Sequence, residues 1–175
     1  MKATLLKFAR KREVINRIDM DQLAEMIREN PEKQRIFNLR LHYGLMQTQR
    51  LEDGRILIDK QGLLSLPRIC LAAECYTRKE QVRFLKYNGL VVLEVNGLKT
   101  YEEAVAIRNQ AARMDETMMA FLGASGMSVK IVCRGEMFQG NELPTDEDKI
   151  RQFHKNVYET ARRAYQHQFQ IDIEY

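Results

Sequence analysis

A single carboxylate interrupts an apolar run of the sequence, Leu90–Val95, close to its C-terminal end. Such a run is typical of a strand buried on both faces, with side chains alternating between them. Alternation puts Glu94 and Asn96 on one face, while Lys130 takes the polar face of a second apolar run, Val129–Arg134. Because an acid in a core is normally paired, we predict that the two strands are neighbours and that Glu94 forms an ion pair with Lys130.

A glycine turn comes just before Lys130, in Ser125-Gly126-Met127-Ser128. One interpretation is an ordinary β-turn that needs a left-handed glycine. The other is a backbone turn whose N–H groups and hydroxyls hold a phosphate. The sequence does not separate the two interpretations.

Cations gather in a second stretch, Tyr76–Lys86, which reads as a mostly exposed connection. Clustered cations beside a sheet can follow phosphates, although a solvated hairpin is the more common outcome. The basic stretch Met1–Arg12 is predicted to be a solvated edge rather than a phosphate-facing arm. The predicted nucleic-acid contacts are Ser125, Gly126, Ser128, Lys130 and Arg134, with Arg78 and Lys86 as outer contacts.

Composition limits the classes of protein to which the chain can belong. The 175 residues are 45% hydrophobic and 30% charged, as expected of one soluble globular domain. No apolar run approaches the roughly 20 residues that span a bilayer, and the first residues lack the apolar region and cleavage site by which a secretory signal is predicted. Three cysteines without metal-ligand spacing indicate reduced thiols and a cytoplasmic protein, and none of the three histidines has a second ligand at helical spacing. The net charge of +4 is a mild hint of a polyanionic partner.

The elements before the core are marked by caps and turns. Asp19 caps a first helix that ends at Asn30-Pro31. Pro31 begins a second helix that Gly44 stops. Asp53-Gly54 is a hairpin signal, and residues 68–75 form one plausible strand.

The core itself is predicted in more detail. Thr100, with Glu103 in a capping box, opens a helix that makes Leu90–Arg134 a β-α-β-β unit containing a strand at Met118–Ala124. Thr145 caps the longest helix, and both helices pack on one sheet face. The residues after this helix, Gln170–Tyr175, alternate like a strand. The predicted fold is α/β (α+β), with a mixed or mainly antiparallel central sheet and a helical N-terminal region.

Several runs, in this order, resemble one family. They are Leu66–Glu74, Tyr87–Leu98, Gly123–Lys130 and the helix opened by Phe153-His154. They resemble the N-terminal domain of VirE-type proteins on mobile elements of Bacteroides-like bacteria, which is similar in turn to the catalytic core of archaeo-eukaryotic primases and primase-polymerases. The resemblance covers nearly the whole chain, most firmly Leu66–Phe169. It implies one primase-like domain over 1–175, with a helical region and hairpin in 1–60 and a core in 61–175, at the start of a longer protein.

The resemblance also implies a site. Primases of that superfamily place two acids, one residue apart, on a central strand that binds divalent metal; the matching positions are Glu94 and Asn96. A histidine after a Ser-Gly turn matches Lys130, and the nearest candidate for a third acid is Asp172. An intact site would take Mg or Mn, with Glu94 as the remaining ligand candidate. An amide and a lysine at these positions remove the negative charge that a two-metal site needs.

The expected function is therefore a nucleic-acid-binding, primase-like module of a mobile-element replication or mobilisation protein, catalytically degenerate. Its partners would be DNA, single-stranded by preference, or RNA, together with a downstream ATPase or helicase-like domain, and no membrane. Two alternatives stay open. One is an active nucleotidyltransferase that uses Glu94 and Asp172 with metal; the other is a protein-interaction domain for the downstream ATPase.

Overall fold

The computed structural model describes residues 1–8, 12–47, 66–137, 142–171 and 173. The described part has an α+β fold with antiparallel sheets, which confirms the predicted class. The elements in chain order are β1 (Lys2–Phe8), β2 (Arg12–Asp19), α1 (Met20–Glu29), α2 (Lys33–Gln47), β3 (Arg68–Cys70), β4 (Ala73–Arg78), β5 (Gln81–Tyr87), β6 (Leu90–Val95), α3 (Tyr101–Ala111), β7 (Thr117–Leu122), β8 (Val129–Arg134) and α4 (Glu147–Phe169).

The central sheet has the strand order β6-β8-β7 and is antiparallel throughout. It is the predicted β-α-β-β unit, with α3 connecting β6 to β7. Strand β8 lies between its two neighbours, and its interior residues from Val129 to Cys133 are buried apart from Lys130. The apolar runs therefore form the middle of the fold, as their lack of polar alternation predicts.

One face of this sheet packs against α3 and α4, as predicted. Val91 and Leu93 of β6 lie in the same core as two small residues of α3, Ala104 and Ala111, and all four are fully buried. A helix with alanine on its inner side can approach the sheet closely. Helix α4 adds Tyr165, whose hydroxyl lies 2.5 Å from Thr117 Oγ1 on β7 and so fixes the helix to the sheet edge.

The opposite face is covered by the N-terminal part of the chain. Leu90 and Val132 pack with Leu23 of α1 and Ala3 of β1 in a second core. The central sheet is thus covered on both faces, and the elements on this second face are distant from it in sequence.

The N-terminal stretch was predicted wrongly. Met1–Arg12 was expected to be a solvated edge, yet β1 is the middle strand of a sheet with the order β2-β1-β3, and Ala3 and Thr4 are fully buried. The prediction gave weight to the cations and not to the apolar residues among them, such as Ala3 and Leu5. The strand predicted over residues 68–75 is two short strands, because the chain leaves one sheet at Cys70 and enters another at Ala73.

The first two helices follow their caps only in part. Asp19 forms the predicted capping box, and Asn30 ends α1 in the left-handed conformation, with φ 49°. Helix α2 begins at Lys33 rather than Pro31 and continues through Gly44. A glycine inside a helix costs only about 1 kcal/mol, which the surrounding helix can offset.

The C-terminal helix begins one residue later than predicted. Asp146, not Thr145, is its cap, and its side chain accepts from the Lys149 N–H at 3.1 Å. Gln170 ends the helix with φ 54°. The hairpin predicted at Asp53-Gly54 lies outside the described residues, as do three of the six residues of the strand predicted over Gln170–Tyr175. The other three, Gln170, Ile171 and Ile173, are not in a strand.

Candidate functional site at the Glu94–Lys130 ion pair

The predicted ion pair is present at the end of the central sheet. Glu94 on β6 lies directly opposite Lys130 on β8, and Lys130 Nζ is 2.7 Å from Glu94 Oε1. The two side chains are 44% and 33% exposed, so water screens the pair and its contribution to stability is about 0–1 kcal/mol. The main effect of the pair is therefore to neutralise the charge at this position. Its effect on the stability of the fold is small.

An aromatic residue lies next to Lys130 on the other neighbouring strand. Phe121 on the edge strand β7 lies opposite Lys130 and is half-buried. Asn96, the third predicted polar group, lies beyond the end of β6 and is exposed. Strand pairing therefore holds Glu94 and Lys130 but does not hold the amide.

The glycine turn has the geometry of an ordinary turn. Gly126 has φ 76°, the left-handed conformation that glycine permits. Its N–H donates to the Gly123 carbonyl at 3.0 Å, and the Gly123 N–H donates to the Ser128 carbonyl at 2.9 Å. The Met127 N–H donates to Ser125 Oγ at 3.2 Å. These N–H groups have acceptors inside the turn, and phosphate binding by it stays a prediction.

A cation that sequence reasoning missed lies on this turn. Arg40 of α2 donates from Nε to the Ala124 carbonyl at 3.2 Å. Its guanidinium carbon lies 5.7 Å from the ring centroid of Tyr101. A Cβ at Gly126 would lie 3.2 Å from Arg40 Nε, so the glycine also makes room for the arginine. Local sequence carried no signal for this contact, because the partners are 84 residues apart.

The predicted nucleic-acid contacts fall into two groups. Ser125, Gly126 and Ser128 lie beside Lys130, at one end of the central sheet. Arg134 lies opposite Leu90 at the other end of β8, about 13 Å along the strand from Lys130. Arg78 and Lys86 are exposed on the hairpin formed by β4 and β5, which runs into β6. The structure does not bring the predicted contacts together in one site.

His154 is partly buried and makes a structural contact. Its Nδ1 lies 3.1 Å from the Tyr87 hydroxyl, between α4 and β5. Burial lowers the pKa of His154 and raises the pKa of Tyr87 to about 12. Both groups are therefore neutral near pH 7, and the contact joins the C-terminal helix to the hairpin.

A family model described as BT4734-like, N-terminal domain matches residues 63–175. The chain belongs to this family. No curated protein and no solved structure matches the chain. Most of the fold of this BT4734-like domain lies in the matched range, including the central sheet and both helices packed on it. Strands β1 and β2 and helices α1 and α2 precede it, and within the described residues no helix is long and apolar enough to cross a membrane.

The described residues of the BT4734-like domain do not fit a two-metal site. Among them, no group of three or more histidine, cysteine, aspartate or glutamate side chains could hold a metal ion. The Glu94 carboxylate faces an ammonium group, and an arrangement of two divalent cations needs several clustered carboxylates. Asp172 lies outside the described residues.

Proposed function

We propose that this BT4734-like domain is a nucleic-acid-binding, primase-like module of a cytoplasmic mobile-element replication protein, without polymerase chemistry of its own. The observation that carries the proposal is the 2.7 Å contact between Lys130 Nζ and Glu94 Oε1. The resemblance to primases implies metal ligands at these positions. An ammonium group there supplies a fixed positive charge in place of a divalent cation.

The charge balance argues against metal-dependent nucleotidyl transfer. Glu94 and Lys130 sum to zero, so a divalent cation would have to displace the ammonium before it met any net negative charge. Asn96 offers an amide oxygen but no charge. The positions that the resemblance assigns to metal binding form a neutral ion pair, which is poorly suited to polarising a phosphate.

The binding half of the proposal rests on surface charge. The chain carries 28 lysine and arginine residues against 24 acids, and Arg78, Lys86 and Arg134 are exposed. Each phosphate that a cation neutralises contributes a slope of about −0.7 to log K against log salt for a single strand. The proposed partner within a longer protein is a downstream ATPase or helicase-like domain, to which the bound strand would be delivered.

Fluorescence anisotropy with labelled single-stranded DNA and RNA, at several salt concentrations, tests binding. We expect modest, salt-dependent affinity for the 1–175 chain. Lys130→Ala with Arg134→Ala should lower both affinity and slope, mainly through the exposed Arg134, because Lys130 is already paired with Glu94. Lys7→Ala with Lys11→Ala removes the same charge from the N-terminus and should matter less. Equal losses from both pairs would mean nonspecific attraction, and no binding at low salt would leave the protein-interaction alternative.

A primer-synthesis assay tests the enzymatic half. With Mg or Mn, a template and nucleoside triphosphates, we expect little or no incorporation, because the carboxylate is already paired. Template-dependent incorporation that Glu94→Gln abolishes would overturn the proposal and favour an active nucleotidyltransferase.

A further inference from the structure

The β4–β5 hairpin presents a polar face away from the core. Residues directly opposite each other share a face, and Tyr76 lies opposite Arg83 while Arg78 lies opposite Gln81. The other face of β4 carries Ala73 and Cys75, which are buried. The hairpin therefore has one face bound to the protein and one face, here called the outer face, free of core packing.

The outer face is concave. Its side chains enclose a cleft of about 510 Å³, lined by Tyr76, Arg78, Lys79, Gln81 and Arg83. Tyr76 is 37% exposed, so part of the residue faces solvent. Arg83 Nη2 donates to Gln81 Oε1 at 2.5 Å, which orients the guanidinium without neutralising it. An aromatic ring among cations, one of them oriented, matches the chemistry that binds single-stranded nucleic acid.

The charge of this hairpin contrasts with that of the central-sheet site. Residues 73–87 contain four cations, namely Arg78, Lys79, Arg83 and Lys86, and two acids, Glu74 and Glu80. At the sheet end, Lys130 is held by Glu94. The hairpin therefore carries a net charge of +2, whereas the ion pair at the end of the sheet is neutral.

The tip of the hairpin has a strained backbone. Lys79 and Glu80, the two turn residues, have φ 47° and 61°. Hairpin turns of this kind normally use Asn-Gly or Asp-Gly, because other residues are unfavourable in the left-handed region. A lysine at this position adds a cation at the edge of the cleft where asparagine would give a more stable turn. Backbone strain of this kind is common at functional sites, where the side chain takes part in the function.

We propose that the outer face of the β4–β5 hairpin is the primary contact for single-stranded nucleic acid, with one base stacked on Tyr76 and the adjacent phosphates paired with Arg78, Arg83 and Lys79. This inference rests on the proposed function and locates its binding site. Stacking is tolerant of sequence, because every base has a flat face. The hairpin would thus hold a strand without selecting one.

The experiment uses the 1–175 chain and a labelled oligothymidylate of about 16 nucleotides, near the upper site size of single-strand binding folds. Tyr76→Ala should weaken binding at least about fivefold, the lower limit for loss of one stacked base, without changing the salt slope. Tyr76→Phe keeps the ring and should retain the affinity of the original protein. Tyr101→Ala removes a similarly exposed tyrosine beside the glycine turn and should have little effect.

The contribution of the cations is tested with a matched control variant in the same way. Arg78→Gln with Arg83→Gln should reduce the slope by about 1.4, the value for two phosphates. Lys155→Gln with Arg163→Gln removes the same charge from exposed positions of α4 and should leave the slope almost unchanged. Photocrosslinking of the original protein to an oligonucleotide carrying 5-iodouracil should label Tyr76, a readout that needs no variant to fold.

Each outcome decides the inference. Undiminished binding by Tyr76→Ala, or crosslinks confined to Tyr101 and the 123–128 turn, would overturn it while leaving nucleic-acid binding intact. Losses confined to Lys130→Ala with Arg134→Ala would do the same. If the original protein binds neither DNA nor RNA, the inference and the proposed function fail together.

Discussion

Replacing Thr4 with valine tests what holds the N-terminal strand to the rest of the fold. The Thr4 hydroxyl donates to the Ala73 carbonyl at 3.1 Å and accepts from the Cys75 N–H at 2.8 Å. Thr4 is fully buried, so no water can replace it. Valine keeps the shape of the side chain and leaves a carbonyl and an amide of β4 without these partners.

The expected loss follows from those two bonds. Each contributes about 1 kcal/mol net, and a buried group left without a partner costs about 1–3 kcal/mol. We therefore expect Thr4→Val to lower the free energy of unfolding by about 2–4 kcal/mol. For a chain of this size, each kcal/mol lowers Tm by about 2–4 °C, so Tm should fall by roughly 5–15 °C.

Urea unfolding followed by circular dichroism measures the effect, with Thr4→Ser as the matched control. Serine keeps the hydroxyl and loses one methyl group, which costs about 1 kcal/mol. Valine should therefore be clearly more damaging than serine. If the two variants are equally stable, or valine is the milder, the hydroxyl bridge does not hold β1 and the argument is wrong.

Three further predictions concern charge and strain. A double-mutant cycle on Glu94→Gln and Lys130→Met, measured by urea unfolding, should give a coupling of about 0.2–1 kcal/mol, and a value above about 2 kcal/mol would contradict the exposed geometry. Lys79→Asn with Glu80→Gly should raise Tm, because relief of two left-handed residues is worth about 1–2 kcal/mol each, less about 0.5–1 kcal/mol for the entropy of glycine; an unchanged or lower Tm would refute the strain. Burial lowers the pKa of His154 below the 6.5 of the unfolded chain, so the unfolded state binds more protons as pH falls below 6.5. Stability should decline below that pH and level off below the folded pKa, and His154→Gln should flatten the urea midpoint between pH 7.5 and 5.

The central β-α-β-β unit was predictable because its signals are local. Apolar runs that fit burial on both faces, a capping box at Thr100 and a glycine that needs a positive φ together specify the order of elements. The pairing of Glu94 with Lys130 also followed, since only one register lets the single acid of β6 meet the single cation inside β8. Two independent constraints, burial and charge, gave the same register.

The N-terminal sheet was not predictable, because the contacts that define it are distant in sequence. Thr4 contacts residues about 70 positions away, on β4. The buried side chain of Asn88 donates to the carbonyls of Lys2 and Leu71, at 2.8 and 2.9 Å, and so ties β1 to the start of the central sheet. The residues close in sequence show the cations of this stretch. They do not show the carbonyl and amide groups with which it forms hydrogen bonds, because these lie far away in the chain. The contact of Arg40 with the glycine turn was not predicted for the same reason.

One contact bears on both halves of the proposed function. The ammonium of Lys130 that takes the place expected for metal is also the cation that a phosphate would need, and at 2.7 Å it is already committed to Glu94. A phosphate that approaches Lys130 meets a carboxylate at nearly the same distance, so attraction and repulsion largely cancel. Arg83 is held by a neutral amide instead and keeps its whole charge for a ligand. If the domain binds a nucleic-acid strand, the balance of charge places the strand on the hairpin and leaves the central sheet as the support that positions it.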